Sequence, residues 1–467
     1  MSTFQSFADS SHAPAPEPFF LQRLSAHFGA PAGTLPILTE EFDPSEHANV
    51  QLAFDAYLRR DGREAELLGI SAEHKRHMGL GLADLLVRPR PGSMGPNPPV
   101  EGPVEYVNIA LDEGRVLPAI QSGLYILRDG DERLAALVGG PVQHTPFAKV
   151  RVDVIAAQRA TAERFLAELR RLTREHNVYR GKVISLKMDM YGRFDMQFHR
   201  LPHVGREQII LPPEVVERAE RHTLRFAAQR ERLRAAGQHL KRGLLLYGPP
   251  GTGKTLTAMY LASQMQDRTV LLLTGRGYGL IQRTCALARL LQPSTVIFED
   301  VDLVAEERTH PQAGGALLFE LLNEMDGLAE DLDILFLLTT NRPELLEPAL
   351  ASRPGRIDQA IEIPLPDADC RERLLKLYSR GLSIELDDWG LVVERTAGVS
   401  AAFIRELIRK AALFAADELP DDADLAIGER HLDRALHEMI AVGGELTRSL
   451  LGARTGEAAD GVEPMNG

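Results

Sequence analysis

The sequence predicts an α/β protein, in which a parallel sheet with helices on both faces is followed by a C-terminal helical lid and preceded by a smaller α+β domain. Three observations predict this order. Beyond Pro213, strand-like and helical segments alternate, as they do where crossover helices join parallel strands. Beyond about Asp367, the pattern is helical throughout. Between residues 104 and 203, short runs with period two flank one amphipathic helix, which is typical of an α+β domain.

The composition is that of a globular protein with more than one domain. The chain has 467 residues, of which 44% are hydrophobic and 25% are charged, whereas one domain takes about 100 to 200 residues. The formal net charge is −13. This charge disfavours nucleic acid as the main partner, because phosphate binding depends on clustered Lys and Arg.

Cysteine usage and hydropathy indicate a cytoplasmic protein without a membrane span. Cys285 and Cys370 lie far apart and match no zinc-site or disulfide spacing, which fits a reducing compartment. The N-terminal segment lacks the basic and then apolar order of a signal peptide. No apolar run approaches the roughly 18 residues that span a bilayer.

Changes of pattern along the chain predict six segments. The stretch "RPRPGSMGPNPPVEGP" is too rich in Pro and Gly for regular structure, and the last residues are small and polar. The predicted segments are a mainly helical N-terminal region at 1–88, a Pro/Gly-rich linker or loop at 89–103, the small α+β domain at 104–203, the parallel-sheet core at 204–366, the helical lid at 367–442 and a disordered tail at 443–467.

The small domain is predicted from its strands and one helix. The run "SGLYILRDGDERLAALV" indicates a hairpin that turns at Asp129 and Gly130, and "KVRVDVIA" alternates with period two. A helix is expected from Ala157 to about His176. The runs "GKVISLKMD" and "GRFDMQFHRL" are predicted as further strands of this domain.

A glycine-rich loop predicts a nucleotide-phosphate site in the parallel-sheet core. "GPPGTGKT" fits the pattern GxxxxGK[ST] and follows a predicted strand, Leu244 to Tyr247, with a helix opening near Lys254. Glycines let backbone amides converge on phosphate oxygens, and the helix N-terminus adds partial positive charge. Lys254 is expected to reach the β- and γ-phosphates, and Thr255 to ligate Mg²⁺. The predicted binding residues are Gly248, Pro249, Pro250, Gly251, Thr252, Gly253, Lys254, Thr255 and Leu256.

Carboxylates at the end of a buried strand predict the hydrolytic half of this site. Val296 to Phe298 has the composition of a strand covered on both faces, and Glu299, Asp300 and Asp302 follow it. One carboxylate of a neighbouring pair is expected to hold Mg²⁺ through water, and the other to polarise the attacking water. The competing interpretation is a solvated strand end with a helix-capping Asp.

Four motifs in this order resemble the AAA family of ATPases: "GPPGTGKT", "STVIFEDVD", "LFLLTTNRPELLEPAL" and "SRPGRIDQAIEIPLPD". The resemblance covers about Leu211 to Ala416. It implies an ATPase that uses ATP and Mg²⁺. It also implies that Asn341 is the sensor 1 residue that positions the attacking water, and that residues 398–402 line the nucleotide. Arg353 and Arg356 match arginines that the family inserts into a neighbouring subunit's site, which implies a homo-oligomeric ring, usually a hexamer.

Two departures from the family pattern bear on function. The strand ends in Glu299 and then Asp300, an order that resembles the Bcs-type translocases and suggests Glu299 on the Mg²⁺ side and Asp300 as the base. Asp302 is a further candidate for the base role. The segment that carries the pore aromatic in substrate-threading members is short, so Tyr278 is either a pore-loop residue that grips polypeptide or a loop tyrosine without that duty.

Two classes of function therefore remain. The first is a ring ATPase that remodels, unfolds or disassembles a protein substrate recruited by its N-terminal domain. The second is a nucleotide-dependent assembly switch or scaffold that threads no substrate. No motif in residues 1–203 identifies the substrate. A DNA-loading role ranks third, because it requires a basic face.

Overall fold

The computed structural model describes residues 17–72, 79–88, 97–142, 149–188, 194–274, 280–302, 314–327, 331–346, 357–386, 388–418 and 425–439. The chain forms two compact units. The first comprises Met1–Val178 with Met188–Asp195, and the second comprises Tyr179–Lys187 with Met196–Gly467. Each unit is described by itself below.

The first unit is built on a seven-stranded antiparallel sheet with strand order β1-β7-β6-β5-β2-β3, in which β4 also pairs with β5. Its strands are β1 Ile37–Phe42, β2 Arg63–Ser71, β3 Val100–Gly102, β4 Glu105–Ala110, β5 Val116–Asp129, β6 Glu132–Gly139 and β7 Val150–Ala156. Its helices are α1 Phe19–Phe28, α2 His47–Leu58, α3 Leu82–Leu85 and α4 Arg159–Glu175, with 3₁₀ turns at Ala32–Thr34, Pro44–Glu46 and Asp112–Gly114.

Helices cover both faces of this sheet. Successive side chains of a strand point to opposite faces, so neighbouring residues of one strand belong to different cores. Tyr125 of β5 belongs to a core with α2 and α4, where Phe54 stacks on it with ring centroids 4.9 Å apart. Its neighbour Leu124 belongs to a second core on the other face, with Phe20 of α1 and Leu82 of α3. The hairpin is confirmed, since Asp129 pairs with Glu132 across its turn.

The second unit contains a parallel sheet and a helical lid. Its strands are β8 Val183–Met188, β9 Phe194–His199, β10 Arg242–Tyr247, β11 Thr269–Leu273, β12 Ser294–Phe298, β13 Ile334–Thr340, β14 Gln359–Glu362, β15 Ser383–Glu385 and β16 Ala426–Gly428. Its helices are α5 Pro213–Glu220, α6 Phe226–Ala228, α7 Arg230–Ala235, α8 Lys254–Ser263, α9 Ile281–Leu290, α10 Gly314–Asp326, α11 Ala368–Tyr378, α12 Trp389–Arg395, α13 Ala401–Glu418 and α14 Glu429–His437, with a 3₁₀ turn at Arg206–Gln208 and a π-helical turn at Arg221–Arg225.

The order of the large sheet is β14-β10-β13-β12-β11-β8-β9, and its strands from β14 to β8 are parallel. The central strands β12 and β13 are buried along their whole length, as predicted for strands covered on both faces. Parallel strands bring their carboxyl ends to one edge of the sheet. The chain segments that follow β10, β12 and β13 therefore lie together at this edge.

The lid is a bundle of helices α11 to α14 around an apolar core. Phe403 and Leu407 of α13 pack with Leu375 of α11 and Leu432 of α14, and all four side chains are buried. Strands β15 and β16 form a small parallel pair beside the bundle. The chain beyond Asp367 is thus mainly helical in its described part, but the prediction of a helical pattern throughout was wrong at β15 and β16, which are three residues each and too short to show a period in the sequence.

The two units of the structure do not begin or end at the predicted boundaries, residues 88 and 203. Strands β1 and β2, from the region predicted as mainly helical, belong to the same sheet as β5 and β7. Strand β8 was predicted in the small domain but pairs with β11 of the parallel sheet. Strand pairing joins segments that are distant in sequence, so local periodicity does not reveal the partner. The predicted disordered tail lies outside the described residues.

Among the helices of the described ranges, none combines the length and the apolar character that crossing a membrane demands.

Candidate nucleotide site

A cavity of about 390 Å³ lies at the carboxyl edge of the parallel sheet. The loop after β10 and the start of α8 form one wall, and Asp300 and Asn341, which follow β12 and β13, form another. The lid contributes residues of α11 and α13. The cavity thus lies where ligands bind in open parallel sheets.

The glycine-rich loop is shaped by two close approaches that leave no room for a side chain. Gly248 has φ 145°, and a Cβ there would lie 2.3 Å from the carbonyl oxygen of Ile363. Gly251 has φ 74°, and a Cβ there would lie 2.7 Å from Ser400 Oγ of the lid. The Ala402 N–H donates to the Gly251 carbonyl at 3.0 Å, so the loop and the lid are hydrogen-bonded directly.

Lys254 is the cation of the cradle. Its side chain is buried, and Nζ donates to the carbonyl oxygens of Gly248 at 3.0 Å and Pro249 at 2.7 Å. Burial lowers the pKa of Lys254 to about 8, and the negative charges of Asp300 and Asp302 act in the opposite direction. The ammonium group of Lys254 thus lies inside the loop and is hydrogen-bonded to it, and two nearby carboxylates affect its pKa.

The carboxylates at the end of β12 differ in position. Asp300 lines the cavity and has φ 51°, a left-handed conformation that Asp and Asn tolerate better than other non-glycine residues. Burial, and then the charge of Asp302, raise the pKa of Asp300, while Lys254 and Asn341 lower it. Glu299 is half-buried and is not among the residues that line the cavity. Burial, and then Asp300, raise the pKa of Glu299.

The end of β13 holds Asn341 next to Asp300. Asn341 Nδ2 lies 3.4 Å from Asp300 Oδ1, and the Asp300 backbone N–H donates to Thr339 Oγ1 at 3.0 Å. The register of β12 on β13 pairs Phe298 with Leu338, so the two strands end side by side. Asn341 and Asp300 therefore face one cavity because the sheet brings both strand ends to the same edge.

The cavity has an apolar part that motif reasoning did not predict. Gln208 to Leu211 border it ahead of α5, and Leu374 and Tyr378 of α11 border it from the lid. Burial raises the pKa of Tyr378, and the positive charge of Arg405, an exposed residue of α13 that also lines the cavity, acts in the opposite direction. An apolar wall beside a phosphate cradle suits a purine base.

The predicted binding residues are brought together at this cavity. Every residue from Pro250 to Leu256 lines the cavity. Gly248 and Pro249 do not line it, but their carbonyl oxygens accept the hydrogen bonds of the Lys254 ammonium group. Ala401 and Ala402 line it, as the family resemblance implied for this end of residues 398–402. Arg353, Arg356 and Tyr278 lie outside the described residues.

The residues present fit a nucleoside triphosphate. The loop is too tight at Gly248 and Gly251 for any Cβ, the buried Lys254 offers a cation, and α8 presents its N-terminus at Lys254. Thr255 is an exposed hydroxyl on the cavity wall, which suits an oxygen ligand for Mg²⁺. The fold and the site define a nucleotide-binding α/β domain with a P-loop and a helical lid.

Comparison with known proteins identifies the family. Residues 244–365 match the family model described as "ATPase family associated with various cellular activities (AAA)". The chain is 30% identical over 322 residues to the proteasome-activating nucleotidase of Thermococcus onnurineus, covering 64% of this chain and 75% of that protein. It is 29% identical over 299 residues to the proteasome-activating nucleotidase of Methanothermobacter thermautotrophicus, covering 58% and 72%. It is 31% identical over 267 residues to the 26S proteasome regulatory subunit 8 of Caenorhabditis elegans, covering 53% and 60%.

The chain belongs to the AAA family and is an ATPase. This membership confirms the resemblance to the AAA family that the four motifs carried.

Proposed function

We propose that this chain is an ATP-driven protein remodeller that works as a ring. Its nucleotide cavity is the part of the molecule at which this proposal can be tested most directly. The observation that carries the proposal is that the P-loop, Asp300 and Asn341 face one cavity. The first unit, with its own antiparallel sheet and two cores, is the candidate recruiter of the substrate. The relatives are named for activating or regulating proteasomes, which supports a folded or unfolded protein as the substrate of this chain too.

In the proposed site, Lys254 leaves the carbonyls of Gly248 and Pro249 to bind the β- and γ-phosphates, and the loop amides bind the remaining oxygens. Thr255 and Glu299 would hold Mg²⁺. Bound Mg²⁺ supplies positive charge that neutralises the phosphate oxygens. Asp300 polarises the attacking water, and Asn341 orients it.

From the order of Glu299 and Asp300 we also propose the likeness to Bcs-type members, and the position of Asp300 supports its role as the base. Asp300 lines the cavity and is 3.4 Å from the amide of Asn341, whereas Glu299 does not line it. Aspartate is one methylene shorter than the glutamate that most members carry at this place. We therefore propose that hydrolysis is slower than in those members, because the base reaches less far towards the water.

A ring is required if Arg353 and Arg356 act on a neighbour's nucleotide. Arg356→Ala is expected to lower the rate of ATP hydrolysis by about 100-fold, because a donor to the transition-state charge is lost, with nucleotide affinity changed by less than about threefold. Phosphate release and equilibrium binding of a fluorescent ATP analogue measure the two effects, and Arg353→Ala is measured beside it. Arg373→Ala, an exposed arginine of α11, is the matched control.

Mixing subunits of two inactive variants tests for a ring without relying on the activity of either variant alone. Arg356→Ala subunits keep their own P-loop, and Lys254→Ala subunits keep their arginines. Mixed rings should therefore regain activity that neither variant has by itself. Full wild-type activity from a species that sedimentation shows to be monomeric would exclude the ring.

A substitution of Tyr278 distinguishes the remodeller from the alternative function, a nucleotide-dependent assembly switch. If Tyr278 grips polypeptide, Tyr278→Ala should leave ATP hydrolysis within about twofold and abolish unfolding of a captured substrate, because one aromatic contact in the pore is lost. Tyr278→Phe, which keeps the ring, is the matched control. Unchanged unfolding by Tyr278→Ala would favour the switch, in which ATP closes an assembly and nothing is threaded.

A further inference from the structure

A third carboxylate follows β12 and has a different environment from Asp300. Asp302 is 4% exposed and is not among the residues that line the cavity. Its Oδ1 accepts a hydrogen bond from Thr340 Oγ1 at 2.9 Å and a longer one from the Asn341 backbone N–H at 3.3 Å. Thr340 is the last residue of β13, and Asn341 follows it. Asp302 therefore connects the ends of two neighbouring strands behind the cavity wall.

The hydroxyl of Thr340 extends this connection. It donates to Asp302 Oδ1 and accepts from the Arg342 backbone N–H at 3.0 Å. The backbone is thus held on both sides of Asn341, at its own N–H by Asp302 and at the next N–H by Thr340. Thr340 is fully buried, so no water competes for these bonds.

We propose that Asp302 is a positioning residue of the ATPase site. It fixes the turn from Thr340 to Arg342, and the turn aims the amide of Asn341 at Asp300. Asp302 is thereby excluded as a second base, because it bonds to β13 and does not face the cavity. This inference rests on the proposed roles of Asp300 and Asn341.

The hydrogen bonds of Asp302 allow an experiment to distinguish a positioning role from a role as a base. A single oxygen, Oδ1, accepts both hydrogen bonds, so the contact needs an acceptor at that place and no second oxygen. An asparagine presents the same carbonyl acceptor without the charge. A base loses its function when aspartate becomes asparagine, whereas a positioning acceptor keeps it.

The test compares two substitutions of Asp302 in the full-length chain. Asp302→Ala should lower kcat for ATP hydrolysis by about 10- to 100-fold, because Asn341 loses its fixed orientation. Its KM, and the Kd of a fluorescent ATP analogue, should stay within about threefold, since no ligand contact is removed. Asp302→Asn should keep kcat within about threefold of the wild type. Thermal unfolding of each variant reports whether it is folded.

Thr340 tests the same bond from its other end. Thr340→Val removes the hydroxyl at nearly constant volume and should lower kcat as Asp302→Ala does, while Thr340→Ser should restore it. The double variant Asp302→Ala with Thr340→Val should be slowed by less than the product of the two single effects, because both substitutions remove the Thr340–Asp302 bond and each removes only one further bond of its own. These variants keep the inference testable if Asp302→Ala fails to fold.

Asp333→Asn is the matched control. Asp333 is also 4% exposed and lies at the opposite end of β13, where Oδ1 accepts from Arg268 at 2.5 Å. This variant should lower the unfolding temperature and leave kcat unchanged. Wild-type kcat in both Asp302→Ala and Thr340→Val would overturn the inference, as would an Asp302→Asn variant as slow as Asp302→Ala. Asp300→Asn, measured beside them, tests the proposed base separately, since full activity there contradicts the role of Asp300 and not the contact of Asp302.

Discussion

Lys254→Ala is expected to abolish nucleotide binding. The side chain is buried in the cradle with two backbone carbonyls as partners. In the proposed site, phosphate oxygens replace these partners when ATP binds. Each charge-assisted hydrogen bond contributes about 1.5 to 3 kcal/mol, so losing two should weaken ATP binding by about 100-fold or more. Titration of a fluorescent ATP analogue measures the loss, and hydrolysis should fall with it.

Lys241→Ala provides the control for this result. Lys241 also donates from Nζ to a backbone carbonyl, that of Met325 at 2.9 Å, and it does not line the cavity. It should bind ATP as the wild type does. Tight ATP binding by Lys254→Ala would show that the cradle is not the phosphate site.

Asp300→Asn is expected to separate binding from hydrolysis. Asparagine tolerates the left-handed φ of 51° found here, so the backbone should keep its shape. Removal of the proposed base should lower kcat by about 10³-fold, while ATP binds with little change. Phosphate release and equilibrium binding of the analogue measure the two effects. The variant should also trap substrate and ring together, which makes it the reagent for identifying the substrate by affinity capture.

Two neighbouring substitutions control the assignment at the strand end. Asp302→Asn should remain active, because its acceptor oxygen is kept. Glu299→Gln should raise the Mg²⁺ concentration needed for half-maximal activity, since Glu299 is the proposed ligand on the metal side. A fast Asp300→Asn enzyme together with an inactive Glu299→Gln enzyme would reverse the two roles.

The phosphate-binding half of the site was predictable because its chemistry is local in sequence. The spacing of Gly248, Gly253, Lys254 and Thr255 constrains one loop, and the structure adds why Gly248 and Gly251 are needed. The strand before Glu299 was predictable from its β-branched and aromatic residues, and β12 is buried throughout. Asp300 could be proposed as a cavity residue because strand ends meet at one edge.

The rest of the cavity depends on contacts between distant segments. Tyr378 and Arg405 lie on lid helices whose apolar spacing indicates only core packing, and Gln208 belongs to a short 3₁₀ turn without a motif. Strand β8 was assigned to the wrong sheet for the same reason, since its partner β11 begins at Thr269. From its place in the sequence, Asp302 was only a further candidate beside Asp300 for the base role, and its hydrogen bonds to Thr340 and Asn341 indicate a different task.

A structure of the full-length Asp300→Asn variant with Mg²⁺ and ATP tests the central claim most directly. The triphosphate should lie between the loop at residues 248–255 and the end of β12, with Lys254 Nζ moved from the Gly248 and Pro249 carbonyls onto phosphate oxygens. A nucleotide bound elsewhere, or a Lys254 still bound to both carbonyls beside the bound triphosphate, would contradict it.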